Sequence, residues 1–293
     1  MTTAPSPETG GIGTLPSILV LVLSFDREPW RTVERQGQRR TWAAPESVPP
    51  GCRVVFYDGR HGLQAQGARV AARLARLEGR DVVSRLVGGA AGRAATALAN
   101  RSGSAPARLS GDRLQTQVPE IYPFVLPKLL AALRWATSGA AGRFDYVYRA
   151  NTSAYVALDR LQEIAAGLPR TDCYAGWLGR PPASGPPFVK GAGILLSWDA
   201  AERVARHRGP WNWRRVDDAA LGDFFSERAV APIELQRVLV RRPEAVLELP
   251  EDELRSSSQF RCKSTSGERI DHLTMVALHT RLRSLEAAAD GGR

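Results

Sequence analysis

Residues 17–25 (SILVLVLSF) form an apolar run with no polar alternation. A strand of this kind is covered on both faces, as an interior strand of a parallel sheet is when helices pack above and below it; a half-exposed strand would alternate. The rest of the chain keeps to that plan. Residues 31–42 are helical in character, and 53–58 (RVVFYD) read as a strand ending at Gly59. Residues 67–79 read as a helix. Leu126, Leu129, Leu130 and Leu133 share one face of a helix reaching about residue 138, with Pro127 tolerated in its first turn. Residues 144–149 (FDYVYR) are a predicted strand, and 158–167 a helix closed by Gly167 with Pro169 beyond it. Strands follow at 174–178 and 188–197, helices at 199–207 and 218–227, strands at 230–235 and 259–263, and a last helix at 271–285. Strands alternating with helices predict an α/β fold, a single Rossmann-like domain with a mostly parallel central sheet and helices on both faces.

The chain is long enough for one large domain or two modest ones. A single domain over 17–285 is expected, with halves 17–157 and 158–285, a disordered leader over 1–16 and a flexible tail over 286–293. Residues 88–111 are rich in Gly, Ala, Ser and Arg without a sustained apolar period, and are expected to form a mobile loop. The net charge of +10 comes almost wholly from arginine, since Lys128, Lys190 and Lys263 are the only lysines. That balance suits anionic partners such as nucleotides, nucleic acid or an anionic membrane face, or reflects a compositional bias toward arginine. The arginines are dispersed rather than interleaved with aromatics, which ranks nucleic acid last. Three widely spaced cysteines make neither a disulfide framework nor a zinc site, and reduced thiols in the cytoplasm are expected. The apolar run at 18–23 is too short to span a bilayer, and the first residues lack the basic region of a signal peptide.

No GxxxxGK(S/T), GxGxxG, HExxH, GxSxG or CxxC motif occurs, which argues against kinase, Rossmann dehydrogenase, metalloprotease and serine hydrolase chemistry. In mostly parallel sheets ligands bind at the carboxyl ends of strands, which singles out Asp26, Asp58, Asn151, Lys190 and Lys263. Residues 188–222 (FVKGAGILLSWDAAERVARHRGPWNWRRVDDAALG) carry the most chemistry. Trp211 and Trp213 stand just before the Asp217-Asp218 pair, and aromatic rings beside a carboxylate suit a sugar, the rings lying on its apolar face and the carboxylate taking a hydroxyl proton.

Five stretches in order resemble the inverting β-1,3-galactosyltransferase and Fringe-like glycosyltransferases of the GT-A fold. QRRTW (38–42) is similar to that family's IRETW. EIYPFVLPK (120–128) matches D-S-Y-x-N-L-T-L-K at its acidic, tyrosine and lysine positions. YVYRANTSAYV (146–156) stands where the family has a strand leading into Asp-Asp-Asp. PPFVKGAGILLSWDAA (186–201) resembles YPxYxSGxGYVLSxDLA, and VDDAALG (216–222) resembles EDVYVG. The resemblance spans about residues 17–225 and fades beyond.

It implies a nucleoside-diphosphate sugar donor, a hydroxyl acceptor and Asp218 as the general base; the other reading of Asp217 and Asp218 is a helix cap. It also implies a metal-binding acidic cluster, and here the chain departs from it, with Asn151, Thr152 and Ser153 at those positions. A hard cation prefers anionic oxygens. Either cationic side chains replace the ion and offset the charge on the departing diphosphate, or catalysis is lost; the first is preferred because the candidate base is present. No cofactor is therefore expected and a divalent metal is disfavoured. Arg39, Arg149, Lys190, Arg261 and Lys263 are the candidate cations, with Arg261 and Lys263 standing near the family's late metal-binding histidine. Ser24, Phe25 and Asp26, at the end of the first strand, are expected to seat the nucleotide base. Arg35 and Arg39 lie on one helix face and form either a phosphate fork or a solvated basic face. Lys128 reaches a phosphate, or pairs with Glu120 or Asp145. Gly191 and Gly193 let the backbone approach the donor, or mark a bulge. Asn151 and Ser153 contribute polar groups to the donor site. Trp177, Trp211, Trp213 and Asp217 are candidate acceptor contacts, the tryptophans being equally core plugs.

These readings predict an inverting transferase of a hexose or N-acetylhexosamine, acting on a glycan, lipid-linked or small-molecule acceptor. It is expected in the cytoplasm, with peripheral contact at the inner membrane face if the acceptor is lipid-linked. A non-catalytic nucleotide- or sugar-binding protein of the same fold is the alternative.

Overall fold

The computed structural model describes residues 14–60, 106–120, 124–179, 185–209, 211, 215–265 and 268–290. Eleven strands are present among them, labelled β1 (Ile18–Leu23), β2 (Cys52–Arg60), β3 (Arg108–Ser110), β4 (Arg113–Pro119), β5 (Tyr146–Ala150), β6 (Ala154–Val156), β7 (Tyr174–Gly179), β8 (Phe188–Ser197), β9 (Ile233–Glu234), β10 (Val238–Leu239) and β11 (Gln259–Arg261). Eight of them form one sheet in the order β3-β4-β2-β1-β5-β8-β7-β9. The strands β4, β2, β1, β5, β7 and β9 run one way, while β3 and β8 run against their neighbours. A small second sheet has the order β10-β11-β6.

The five helices of nine residues or more among the described residues are α1 (Val125–Trp135), α2 (Leu158–Ala166), α3 (Trp198–Arg206), α4 (Asp217–Ser226) and α5 (Asp271–Asp290). They cover both faces of the large sheet, and β1 shows why its sequence does not alternate. Successive side chains of a strand point to opposite faces. Leu19, Leu21 and Leu23 enter a core with Leu126, Leu129, Leu130 and Leu133 of α1, Val204 of α3 and Phe224 and Phe225 of α4. Ile18, Val20 and Val22 enter the opposite core with Leu158 and Leu161 of α2 and Met275, Leu278 and Leu282 of α5. The expected mostly parallel sheet between two helical layers is the architecture observed. No described helix is long and apolar enough to cross a membrane.

Several boundaries differ from the sequence-based expectation. The helix expected at 31–42 is an α-turn (Trp30–Thr32), a π-turn (Val33–Gly37) and a 3-10 turn (Gln38–Arg40). Its irregularity coincides with a close crossing, because a Cβ on Gly37 would stand 2.9 Å from Met275 Sδ and 3.0 Å from His272 Cα of α5. The stretch expected to be a loop at 88–111 ends in β3, which returns into β4 through Gly111 at φ +61°; residues 88–105 and the helix expected at 67–79 lie outside the described residues. The strand at 230–235 shrinks to Ile233–Glu234, that at 259–263 to Gln259–Arg261, and that at 144–149 shifts to Tyr146–Ala150. The last helix continues to Asp290, so much of the expected flexible tail is helical.

Gly176 of β7 is constrained both sterically and in its backbone conformation. Gly176 sits at a register shift between β7 and β8 with φ +149°, and a Cβ there would overlap the Gly193 carbonyl oxygen and Val189 Cγ1. Gly176→Ala is therefore expected to lower stability by about 1–3 kcal/mol, through backbone strain and overpacking, measured as a lower urea midpoint at unchanged slope.

Candidate active site

A cleft of about 270 Å³ opens where the carboxyl ends of β1 and β5 meet the start of β8, the first turn of α4 and the segment after β11. The reversed direction of β8 is what brings Lys190 and Gly191, near its beginning, to the edge where β5 ends, since Ala150 lies beside Gly193. After β5 the chain leaves the large sheet through Asn151–Ser153 and enters the small one as β6, which pairs with β11. That change of sheet places Asn151, Thr152 and Ser153 at the cleft beside Arg261 and Lys263.

Ten of the residues singled out from the sequence line this cleft: Phe25, Arg149, Asn151, Ser153, Lys190, Gly191, Asp217, Asp218, Arg261 and Lys263. Six cationic side chains face it (Arg27, Arg149, Lys190, Arg261, Lys263 and Arg269) against the two carboxylates of Asp217 and Asp218. Both carboxylates stand in the first turn of α4, where the helix dipole favours negative charge. The N-cap residue, Val216, makes no side-chain capping bond. Asp217 instead takes a bond from Arg149 Nη2 at 2.7 Å. Asp218 accepts from the Gly191 N–H through Oδ2 and from the Ala219 N–H through Oδ1, each at 2.9 Å. Arg149 Nη1 donates to the Gly191 carbonyl. Burial works against the Arg149 charge, but Asp217, with Tyr57 and Asp218, outweighs it and the guanidinium pKa is raised. Burial also raises the Asp217 pKa, with Arg149 pulling the other way.

Asn151 Oδ1 accepts from the Ser153 N–H (3.1 Å) and Oγ (3.0 Å), closing a local turn. Among the described residues no group of three His, Cys, Asp or Glu side chains could hold a metal ion. Cys262 is buried and its thiol pKa is pushed up, chiefly by desolvation, so it serves as a small apolar group rather than a nucleophile.

The other described candidates do not line the cleft. Ser24 is buried and its hydroxyl donates to Glu34. Asp26 is bound by Arg31 at 2.9 Å. Arg35 is exposed and does not line the cleft. Arg39 pairs with Glu34 (2.8 Å) and Asp112 and lies over the Phe56 ring. Asp58 is buried in an ion pair with Arg113. Lys128 is buried, donates to Glu120 Oε1 at 2.6 Å, and sits 4.1 Å from the centroid of Phe25, beneath the cleft rather than in it. Burial lowers its pKa and Glu120 opposes that. Two cations lie over Trp177, Arg237 at 3.8 Å and Lys190 at 4.1 Å from the ring centroid, and the half-buried ring lines a second cleft with Glu234, Arg237 and Asp252 rather than this one. Trp211 is a core residue, stacked on Phe224 with centroids 5.4 Å apart. Trp213 lies outside the described residues. The missing Cβ of Gly193 makes room for the Tyr148 hydroxyl and Gln259, a packing role.

Among the lining residues missed are the polar or aromatic Arg27, Trp30 and Arg269. Arg269 lies 3.9 Å over the Trp30 ring, and Trp30 tilts against Phe25 with centroids 6.0 Å apart. Arg27 and Trp30 closely follow the first strand, and extending the strand-end rule by a few residues would have found them. Nothing local to Arg269 marks it; only the fold brings it across to Trp30.

No family model matches the chain, and no curated protein matches it. Among solved structures, a glycosyltransferase involved in glycosylation of the major capsid of PBCV-1 is similar over 92% of this chain and 100% of its own, with 10% identity and a TM-score of 0.36. An active-site mutant of LgtC is similar over 92% of this chain and 95% of its own, with 12% identity and a TM-score of 0.43. At these scores neither likeness bears on what this chain does.

Proposed function

We propose that the cleft is the active site of an inverting glycosyltransferase that moves a hexose or N-acetylhexosamine from a nucleoside-diphosphate sugar to a hydroxyl of a glycan, glycolipid or small-molecule acceptor. The observation that carries this reading is the meeting of Asp218, a carboxylate without an ion pair among the described residues, with six cationic side chains at the carboxyl edge of the sheet. In the reaction the acceptor oxygen gives its proton to Asp218 and forms a bond to the anomeric carbon. The bond from that carbon to the diphosphate oxygen breaks on the opposite side, and the leaving group keeps the electron pair. Arg27, Lys190, Arg261, Lys263 and Arg269 are the side chains whose charge offsets the one developing on the diphosphate, an electrostatic contribution that is large in a preorganised site.

The donor atoms present do not fit a hard dication. Asn151 Oδ1 is engaged by Ser153, Thr152 and Ser153 bring only hydroxyls, and Asp217 is bound to a guanidinium. Built-in positive charge is therefore assigned the ion's part. Calorimetry with uridine diphosphate tests this. Binding of equal affinity in chelator and in manganese is the expected outcome, and binding that disappears in chelator refutes the assignment. A donor screen read by nucleotide release tests transfer itself: release on adding an acceptor supports the enzyme, and nucleotide binding without release for any donor leaves the non-catalytic alternative.

A further inference from the structure

Arg149 faces the cleft, yet both terminal nitrogens of its guanidinium are already engaged. Its side chain is 5% exposed, Nη2 donates to Asp217 and Nη1 to the Gly191 carbonyl. The Gly191 peptide is thus gripped on both edges, its carbonyl by Arg149 and its N–H by Asp218. Asp217 and Asp218 are consecutive in one helical turn, so holding Asp217 fixes the backbone from which Asp218 projects. The glycine leaves room for this arrangement: a Cβ at 191 would overlap Arg149 Nη1 and force the guanidinium to move, while meeting Asp218 Cβ at an ordinary contact distance of 3.5 Å.

We infer that Arg149 is the positioning residue for Asp218, acting through Asp217 and the Gly191 peptide, and is not a ligand of the diphosphate. The inference rests on the transferase reading above. It reassigns Arg149 from the donor-binding role suggested by the sequence and leaves that role to the other cations of the cleft. A planar fork can hold a carboxylate and a carbonyl at once; an ammonium in its place is a single point charge on a flexible stem and does not reproduce that geometry. Misplacing the base slows the chemical step while leaving nucleotide recognition untouched.

The test compares wild type, Arg149→Lys, Asp217→Asn and Gly191→Ala by uridine diphosphate calorimetry, by kcat and KM in the nucleotide-release assay, and by thermal melting. The expected pattern for all three variants is kcat lower by about tenfold or more, with nucleotide Kd and donor KM within about twofold. Gly191→Ala is the most telling, since it keeps both charges and displaces only the guanidinium. Arg149→Lys with Kd weakened tenfold and kcat unchanged would make Arg149 a phosphate ligand and overturn the inference; unchanged kinetics in all three variants would overturn it too. If Arg149→Lys shows no cooperative melting, the near-isosteric Asp217→Asn carries the same two outcomes. A wild type that binds nucleotide but turns over no donor defeats the transferase reading, and this inference with it, whereas an active wild type with unaffected variants defeats this inference alone.

Discussion

Asp218→Asn is expected to lower turnover of the nucleotide-sugar donor by about 10²–10⁴-fold, the usual worth of a positioned general base. The change is close to isosteric. The side-chain oxygen of asparagine still accepts the Gly191 N–H, only the bond from the Ala219 N–H is given up, and Asp217 remains bound to Arg149, so the turn and the cleft are largely held. What is lost is the ability to take the acceptor proton. Calorimetry should give an unchanged affinity for uridine diphosphate while the release assay with acceptor falls to background. Undiminished turnover in Asp218→Asn would remove this residue from the mechanism.

The largest stability effect is expected beneath the cleft. Lys128 and Glu120 are both buried, and Glu120 also accepts the Gly59 N–H. Glu120→Ala leaves an ammonium and a backbone donor in the interior without partners, which costs about 3–5 kcal/mol. Combining Lys128→Met with Glu120→Gln removes both charges and keeps an acceptor for Gly59, so much of the loss should return. Urea midpoints of the single and double variants measure this. A Glu120→Ala protein with a wild-type midpoint would mean that the pair contributes nothing. Lys128 also lies against the Phe25 ring, so the single variant should disturb the cleft floor as well.

What was legible in the sequence follows from where local pattern decides structure. The uninterrupted apolar run of β1 declared two covered faces, and the leucine spacing of α1 declared the face that meets it. The strand-end rule then gathered Asn151, Lys190 and Lys263 at one edge, and the paired aspartates marked the start of α4. What was not legible depends on partners distant in sequence. Ser24 and Arg39 look like site residues until Glu34 and Asp112 are seen to engage them. Trp211 looks like a platform until Phe224 is found stacked on it. The direction of β8 is invisible in its apolar residues, because a strand buried on both faces reads the same either way. The interrupted helix at 30–40 answers to α5 packing against Gly37, a contact between segments more than two hundred residues apart.

The scarcity of lysine has a practical corollary. Of the chain's 40 basic Lys and Arg residues only three are lysines; Lys190 and Lys263 line the cleft, and Lys128 lies under its floor. Every lysine amine of this sequence is therefore at or beneath one place, and because Lys128 is buried, an amine-selective reagent acting on lysine side chains reports on Lys190 and Lys263.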